Sequence, residues 1–419
     1  MRRFRVGAGA VFLYSLLVVT SSDLSAASAQ AQPDNCATCH LAISSERLSA
    51  PAVQFEDDVH GALGFSCAVC HGGDAAVSGL GGMDPALGFV GTPDPSLVPQ
   101  ICGRCHSDAD FMRRYNPSLR VDQEIEYRTS VHGRRLIEDD DPNVATCASC
   151  HGAHSIQPAS SPTSRVHPLN VAETCGSCHS DLERMGEYGI PTDQESEYRA
   201  SVHWEKMSVE ADLSAPTCND CHGNHGAAPP GIEWVGNVCG NCHPVNDQLF
   251  DESRHSQIFT MMGVPGCASC HGNHQIEPAG DEMLGVGEQS VCVRCHGTEE
   301  AGPPGQIRAL IDSLRIGYEA ADSILGQAEN SGMEVSEAVF ELNTAQTALV
   351  SARAAVHSFD VENVASEVEA GLEVTTSSFQ RGIDALRDLR FRRIGLAVSV
   401  VIILILISGL LLKIKEMEG

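Results

Sequence analysis

Residues 147–151 read Cys-Ala-Ser-Cys-His, and this five-residue pattern decides how the rest of the chain is interpreted. The same Cys-x-x-Cys-His spacing occurs nine times. The motifs begin at Cys36, Cys67, Cys102, Cys147, Cys175, Cys218, Cys239, Cys267 and Cys292, and their second cysteines are Cys39, Cys70, Cys105, Cys150, Cys178, Cys221, Cys242, Cys270 and Cys295. The chain has 18 cysteines, so none lies outside a motif. Nine complete motifs exclude an accidental match.

The spacing fits covalent attachment of haem. Two thiols three residues apart add across the haem vinyl groups, and the adjacent histidine reaches the iron. A disulfide framework would not require a histidine after every second cysteine. A zinc ribbon would pair Cys-x-x-Cys units at regular separations, and a redox dithiol would occur once, near a βαβ pattern. We therefore predict nine covalently attached c-type haems.

The composition agrees with an interior that side chains do not fill. The chain of 419 residues has 39 Gly and 20 Pro, but only 12 Phe, 6 Tyr and 2 Trp. A chain this poor in large side chains gains little burial energy to offset the entropy lost on folding. We expect a mainly α structure with irregular loops and few strands, in which the haems pack together and take the place of an ordinary core.

The histidine count matches two axial ligands for each iron. The motifs supply nine proximal ligands: His40, His71, His106, His151, His179, His222, His243, His271 and His296. The chain has 18 histidines, and the other nine are His60, His132, His154, His167, His203, His225, His255, His274 and His357. A lone histidine is usually an ordinary surface or core residue. As a set, however, these nine occupy recurring places relative to the motifs, which predicts that they are distal ligands.

The recurring places come from internal repeats. Units near 102–174, 175–238 and 239–291 each hold a motif, a separate histidine and a second motif. Glu126-Tyr-Arg-Thr-Ser-Val-His132 recurs as Glu197-Tyr-Arg-Ala-Ser-Val-His203, and Arg254-His255-Ser256 takes the corresponding place in the third unit. Three further distal candidates share the pattern Cys-His-Gly-x-His, namely His154, His225 and His274.

Long helices follow the last motif. Apolar residues from Ile307 to Ala328, and again from Val335 to Val356, alternate at spacings of three and four, with a break at Asn330-Ser-Gly332. After a second break at Ser358 to Asp360 a third helix begins. We predict an antiparallel hairpin and a three-helix stalk over 303–393, most of it purely structural. The hairpin would return His357 to a late haem, with the one at Cys292 as a candidate.

Both ends of the chain indicate membrane export. Residues 1–29 have arginines, an apolar run and a small-residue stretch, as in a cleavable signal peptide. Residues 394–412 are apolar over about 28 Å, enough for one transmembrane helix, with 413–419 as a cytoplasmic tail. Arg387, Arg390, Arg392 and Arg393 precede the anchor, against the positive-inside rule. Export and haem attachment still place residues 30–302, the predicted nonahaem region, in the periplasm, with the anchor in the inner membrane.

Residues 36–296 resemble the multihaem c-type cytochromes with paired Cys-x-x-Cys-His motifs. That resemblance implies closely packed haems that conduct electrons. The chain is also similar to the quinol-oxidising cytochromes of nitrate and nitrite reductase systems, but it departs from them in its C-terminal anchor and its larger number of haems. A membrane-embedded redox subunit of cytochrome b type could therefore oxidise quinol for it, and the small residues Gly395 and Ser399 are a weak sign of helix pairing.

These features predict a membrane-anchored electron-transfer protein of a respiratory chain, carrying electrons between a quinol-linked donor and periplasmic or outer-membrane cytochromes. The formal net charge of −28 argues against nucleic acid as a partner. One alternative is a multihaem oxidoreductase of the nitrite or hydroxylamine type, which needs one five-coordinate iron. None of the nine motifs ends in the lysine that nitrite reductases typically carry. Another alternative, a subunit of a cytochrome filament, conflicts with the anchor.

Overall fold

The computed structural model describes residues 34–229 and 238–418. The predicted signal peptide, residues 1–29, lies outside the described residues. By their internal contacts the described residues divide into two compact units, one formed by 34–56 and 60–92 and the other by 57–59 and 93–418. The described residues are mainly helical and contain no strand, as the composition predicts.

Short helices dominate as far as residue 302. Before residue 92 they are α1 (Asn35–Leu41), α2 (Glu46–Phe55), α3 (Val59–Ala62) and α4 (Cys67–His71). The next group is α5 (Val98–His106), α6 (Ala109–Met112), α7 (Gln123–Thr129), α8 (Val131–Glu138), α9 (Cys147–His151), α10 (Pro168–His179), α11 (Leu182–Gly186), α12 (Gln194–Arg199), α13 (Val202–Ser208) and α14 (Cys218–His222). Then come α15 (Pro244–Asp251), α16 (Arg254–Met262), α17 (Ala268–His271) and α18 (Val293–His296).

Single 3-10 turns complete this part of the chain at Gly79–Met83, Pro85–Leu87, Pro95–Leu97 and Asp281–Met283. Isolated helices this short are unstable in water, so caps and tertiary contacts must hold them. Two motif helices have reciprocal caps: Thr146 N–H donates to Ser149 Oγ at 3.0 Å, and Thr217 N–H donates to Asp220 Oδ2 at 2.8 Å. Both caps fix the first turn of a Cys-x-x-Cys-His motif.

Apolar burial in this region is sparse and repeats with the sequence. Tyr127 and Tyr198 are buried at equivalent places, as are Leu136 and Met207, each four residues after a predicted distal histidine. Met112 and Met185 are likewise buried, six residues after His106 and His179. These methionines pack locally.

The long helices form an antiparallel hairpin with a third helix beside it. They are α19 (Pro303–Asn330), α20 (Ser336–Ala355) and α21 (Val361–Glu418), and a 3-10 turn at Val356–Ser358 joins the last two. Two apolar clusters lie along the bundle, one around Ile311, Leu314 and Val364 and the other around Leu325 and Ala345. The breaks between these helices fall where the sequence predicts them.

The last helix continues past the bundle. Its C-terminal half is long and apolar enough to cross a bilayer, and the side chains of its most apolar 18 residues are not buried against any part of the described chain. From residue 361 to residue 393 the helix is roughly 50 Å long at 1.5 Å per residue. The end of α21 that lies beside the 3-10 turn is therefore about 50 Å from the start of the apolar segment.

Close helix contact in the bundle depends on glycine. A Cβ placed on Gly371 would lie 2.6 Å from Leu314 Cδ1 and 3.0 Å from Ala348 Cβ, and Leu314 is fully buried, so it has little room to move. Gly326 of α19 offers a matched control, because a Cβ there meets nothing within 4 Å.

We expect Gly371→Val to destabilise the bundle by about 2 kcal/mol through overpacking. Amide exchange of peptides from 303–390, followed by mass spectrometry, would then become roughly 30-fold faster wherever exchange requires opening of the bundle. Gly326→Val should leave exchange nearly unchanged. Equal effects of the two substitutions would show that helix propensity, and not close packing, sets the stability of the bundle.

Candidate functional site

The Cys-x-x-Cys-His motifs lie on single helical turns. Helices α4, α9 and α14 each consist of one motif and nothing more. Residues i and i+4 share a face of a helix, so the first cysteine and the histidine of a motif lie on the same side. None of the 18 cysteines forms a disulfide bond. Each motif thus presents thiols and an imidazole together.

A shared scaffold connects each predicted distal histidine to the following motif. Tyr127 Oη donates to the carbonyl of Ala145 at 2.9 Å, and Tyr198 Oη donates to the carbonyl of Pro216 at 3.0 Å. Both carbonyls lie two residues before the first cysteine of a motif. The recurrence of Tyr in Glu-Tyr-Arg therefore has a structural cause, because the ring fixes the loop that leads into the motif.

A serine turn holds the histidine itself. Ser130 Oγ donates to the carbonyl of Tyr127 and accepts the N–H of Gly133 at 2.8 Å, which makes it the N-cap of the helix that carries His132. The two other repeats use serine in the same way. Their corresponding residues are Ser201 before His203 and Ser253 before His255.

The structure brings proximal and distal histidines face to face. Among the described residues five pairs have ring centroids about 6 Å apart. They are His132–His179 at 6.1 Å, His151–His225 at 6.1 Å, His222–His274 at 6.1 Å, His255–His296 at 5.8 Å and His271–His357 at 6.1 Å. Each pair joins one motif histidine to one histidine outside the motifs.

This separation fits one metal ion between two imidazoles. Two metal–nitrogen bonds of about 2 Å, plus roughly 1.1 Å from each nitrogen to its ring centre, give a centroid separation of about 6 Å. Aromatic ring pairs in general span about 4.5–7 Å, so the argument also depends on the fact that every pair joins one motif histidine to one histidine outside the motifs. The donor sets of these pairs therefore fit axial ligation of haem iron, with the adjacent thiols available for attachment.

The pairs fall into two classes by the angle between the ring planes. His151–His225, His222–His274 and His271–His357 are nearly parallel, at 11°, 17° and 18°. His132–His179 and His255–His296 are tilted, at 59° and 44°. The parallel class contains the second motif of each repeat, and the tilted class contains the first motif of the second repeat and the last motif.

Hydrogen bonds set the tautomer of several of these rings. Nδ1–H of His40 donates to Leu48 O at 2.9 Å, that of His71 to Gly91 O at 2.7 Å, that of His222 to Ala228 O at 3.2 Å and that of His357 to Ala354 O at 3.0 Å. A carbonyl can only accept, so the proton resides on Nδ1 and Nε2 keeps its lone pair for a metal. Burial also lowers the pKa of His132, His151, His179, His222, His271 and His357, which favours their neutral, ligating form.

Carboxylates approach two distal histidines, which the sequence analysis did not anticipate. Glu126 Oε2 lies 3.9 Å from Nδ1 of His225, and Glu197 Oε2 lies 3.5 Å from Nδ1 of His274. Both glutamates open the repeated Glu-Tyr-Arg sequence, so their recurrence was the available signal. In the third repeat Leu249 stands at this place. A carboxylate beside Nδ1 orients the ring and increases its basicity.

The other predicted ligands are placed as follows. Burial, and after it the charge of His243, lower the pKa of His203. His106 lies near His151. His154 is half-buried. His60 stacks on Phe65 with centroids 6.0 Å apart. His167 is buried at the N-cap of α10, where its Nδ1 accepts the N–H of Leu169 at 3.3 Å. Ligation by His167 stays a prediction.

His357 returns to a late motif, but to a different one from the candidate suggested by the sequence. It faces His271 of the Cys267 motif, whereas His296 of the Cys292 motif faces His255. Asp281 holds the hairpin in place, because its carboxylate receives two 2.8 Å hydrogen bonds from Arg353 of α20. Arg315 of α19 lies 3.7 Å from the same carboxylate, which is only 11% exposed.

Interactions between thiols show which motifs are neighbours. Within a repeat the first cysteines of the two motifs interact: Cys102 with Cys147, Cys175 with Cys218 and Cys239 with Cys267. The Cys175 thiol lowers the pKa of Cys218 to about 7. Successive repeats are connected by Cys150 with Cys178, Cys221 with Cys242 and Cys270 with Cys292. From Cys102 to Cys292 the motifs therefore follow one another in space in the order of the sequence.

Two parts of the chain match known family models. Residues 140–244 match the model described as cytochrome c3, and residues 238–313 match the model described as cytochrome c554 and c-prime. No curated protein and no solved structure matches the chain. The matched stretches contain most of the histidine pairs and the beginning of α19.

The carboxylates supply a test of the site. Glu126→Gln removes the charge beside His225 and keeps the shape of the side chain, so the ring becomes a weaker donor and the lower oxidation state gains stability. We expect one redox midpoint to rise in a spectroelectrochemical titration. Glu183→Gln, an exposed carboxylate on α11, should leave the titration unchanged, and an unchanged titration for Glu126→Gln would contradict the assigned role.

Proposed function

On the premise, supported by both family matches, that the chain is a multihaem c-type cytochrome, we propose that it is a membrane-anchored electron-transfer protein with nine haems. Bound haem iron exchanges one electron between its ferric and ferrous states. The observation that carries the proposal is the set of histidine pairs whose rings lie about 6 Å apart. Two imidazoles occupy both axial positions and leave no position for a substrate.

The polypeptide supports a single path for electrons. Interacting thiols connect each motif from Cys102 to Cys292 with the next one in the sequence, and the histidine pairs join each repeat to the next. The two ends of such a path are the natural points of exchange with partners. We propose that one end lies at the Cys292 motif, beside the helical stalk, and that the other lies at the Cys102 motif.

The long apolar C-terminal helix supports anchoring in a lipid bilayer. We place the haem-binding region in the periplasm, because haem attachment and the predicted signal peptide both require export. The partners that suit this arrangement are a membrane-embedded, quinol-linked redox subunit and periplasmic or outer-membrane cytochromes. A net charge of −28 favours basic faces on those partners.

The length of the stalk limits which donor can serve. About 50 Å of α21 separates the bilayer from the turn that carries His357, far beyond direct electron tunnelling from a quinol in the membrane. The donor must therefore have a redox centre that extends this far above the bilayer. A partner protein, not the quinol itself, meets that requirement.

Ligation of every iron by two histidines is tested by electron paramagnetic resonance of the oxidised, detergent-purified protein, with haem quantified per chain. We expect nine haems, exclusively low-spin ferric signals, and two groups of signals from the parallel and tilted ring pairs. His357→Ala should convert one haem to high spin, whereas Ser358→Ala in the same turn should not. A stoichiometric high-spin signal in the unchanged protein would instead favour an oxidoreductase with an open iron.

Exchange with the membrane is tested in liposomes that contain the purified protein and a membrane-confined quinol. Because of the stalk we expect no reduction of the haems over minutes, followed by full reduction when soluble dithionite is added. Absorbance of reduced haem records both steps. Rapid reduction by the quinol alone would contradict the distance argument and would indicate direct quinol oxidation.

A further inference from the structure

The turn that joins α20 to α21 carries two side chains into the haem-binding region. His357, in the 3-10 turn Val356–Ser358, faces His271. Phe359, two residues later, covers His255 with ring centroids 3.9 Å apart and an angle of 31° between the planes. Since His255 in turn faces His296, one short turn of the stalk contacts histidines of the last two predicted sites.

Phe359 has an unusual backbone conformation. Its φ is 53°, in the left-handed region that residues other than glycine, asparagine and aspartate rarely adopt. Glycine would adopt this conformation without strain, yet the residue here is phenylalanine. This indicates that the aromatic side chain is needed. The ring also lies 6.3 Å from Phe250 of α15, and Phe250 lies 6.0 Å from Phe259 of α16.

His255 lacks the hydrogen bond that orients other rings of the set. Its Nδ1 is buried and has no partner among the described residues. By contrast, His222 and His357 donate Nδ1–H to carbonyls, and His225 and His274 face carboxylates. Packing must therefore set the ring plane of His255. Phe359 lies on one face of the ring, and Phe259 meets it edge-on at 5.9 Å and 77°.

We propose that Phe359 is a positioning residue for the axial ligand His255, so that docking of the stalk controls the last two irons, one through ligation by His357 and one through the ring of Phe359. This inference rests on the proposed function, since it takes His255 and His296 as an axial pair. The paired hydrogen bonds from Arg353 to Asp281 hold the end of α20 from which the turn begins, and so keep both side chains in register.

The test uses two substitutions at Phe359 in the full-length, haem-loaded protein. Phe359→Gly removes the ring and suits the positive φ, so the turn is kept. Phe359→Leu keeps apolar bulk and the strain but removes the flat aromatic face. We expect both to shift or broaden the low-spin paramagnetic resonance signal of one haem, with haem content unchanged. Phe340→Leu, on an exposed face of α20, is the matched control and should leave every signal as it was.

The remaining outcomes separate this inference from the proposed function. His255→Ala should convert one haem to high spin, and its failure to do so would remove the axial assignment on which both depend. If His255→Ala acts as expected while both Phe359 variants leave the signals unchanged, the positioning role is wrong and the proposed function stands. A change in Phe359→Leu without one in Phe359→Gly would assign the effect to the shape of the introduced leucine and overturn the role of the ring.

Discussion

The constraint on which the rest of the structure depends is that two imidazoles from different parts of the chain must lie about 6 Å apart. A motif fixes its own histidine by one helical turn, but the histidine that faces it comes from another repeat or from the stalk. Each pair therefore joins segments distant in sequence, as a hydrophobic core does in an ordinary domain. This explains how helices of four to twelve residues, with few buried apolar side chains, are held in one arrangement.

The first two repeats provide the facing histidine in the same way, and the third repeat differs from them. Glu126 and Glu197 approach the ring of a distal histidine that follows a later motif, and backbone bonds from Val131 to Ala227 and from Val202 to Ile276 join the same segments. No fourth repeat follows to provide a histidine for His271. The stalk supplies His357 instead, and the carbonyl of Ala354 takes over the contact with Nδ1. The third repeat has Leu249 at the place of Glu126 and Glu197, which is consistent with the use of a histidine from the stalk.

The sequence predicted the parts of the site better than their pairing. The helical hairpin, its two breaks and the absence of an ordinary core follow from local spacing and composition, and the structure agrees with them. The partner of each histidine depends on how one repeat crosses the next, which local spacing does not encode. His357 shows the difference, because an antiparallel return predicted its approach to a late motif but could not distinguish His271 from His296. Phe359 gave no sequence signal, since its role lies in a positive φ and a ring contact between distant segments.

The stalk combines the length of a spacer with side chains that belong to the predicted sites. Roughly 50 Å of helix separates its upper turn from the start of the apolar segment, which alone would make it a spacer. Its upper end, however, contributes a histidine and a phenylalanine to the last two predicted sites and is fixed by an ion pair between Arg353 and Asp281. A spacer could be lengthened or replaced without effect on those sites, whereas this bundle could not lose its upper turn. Close packing at Gly371 therefore matters beyond stability, because a rigid bundle holds in place the turn that carries His357 and Phe359.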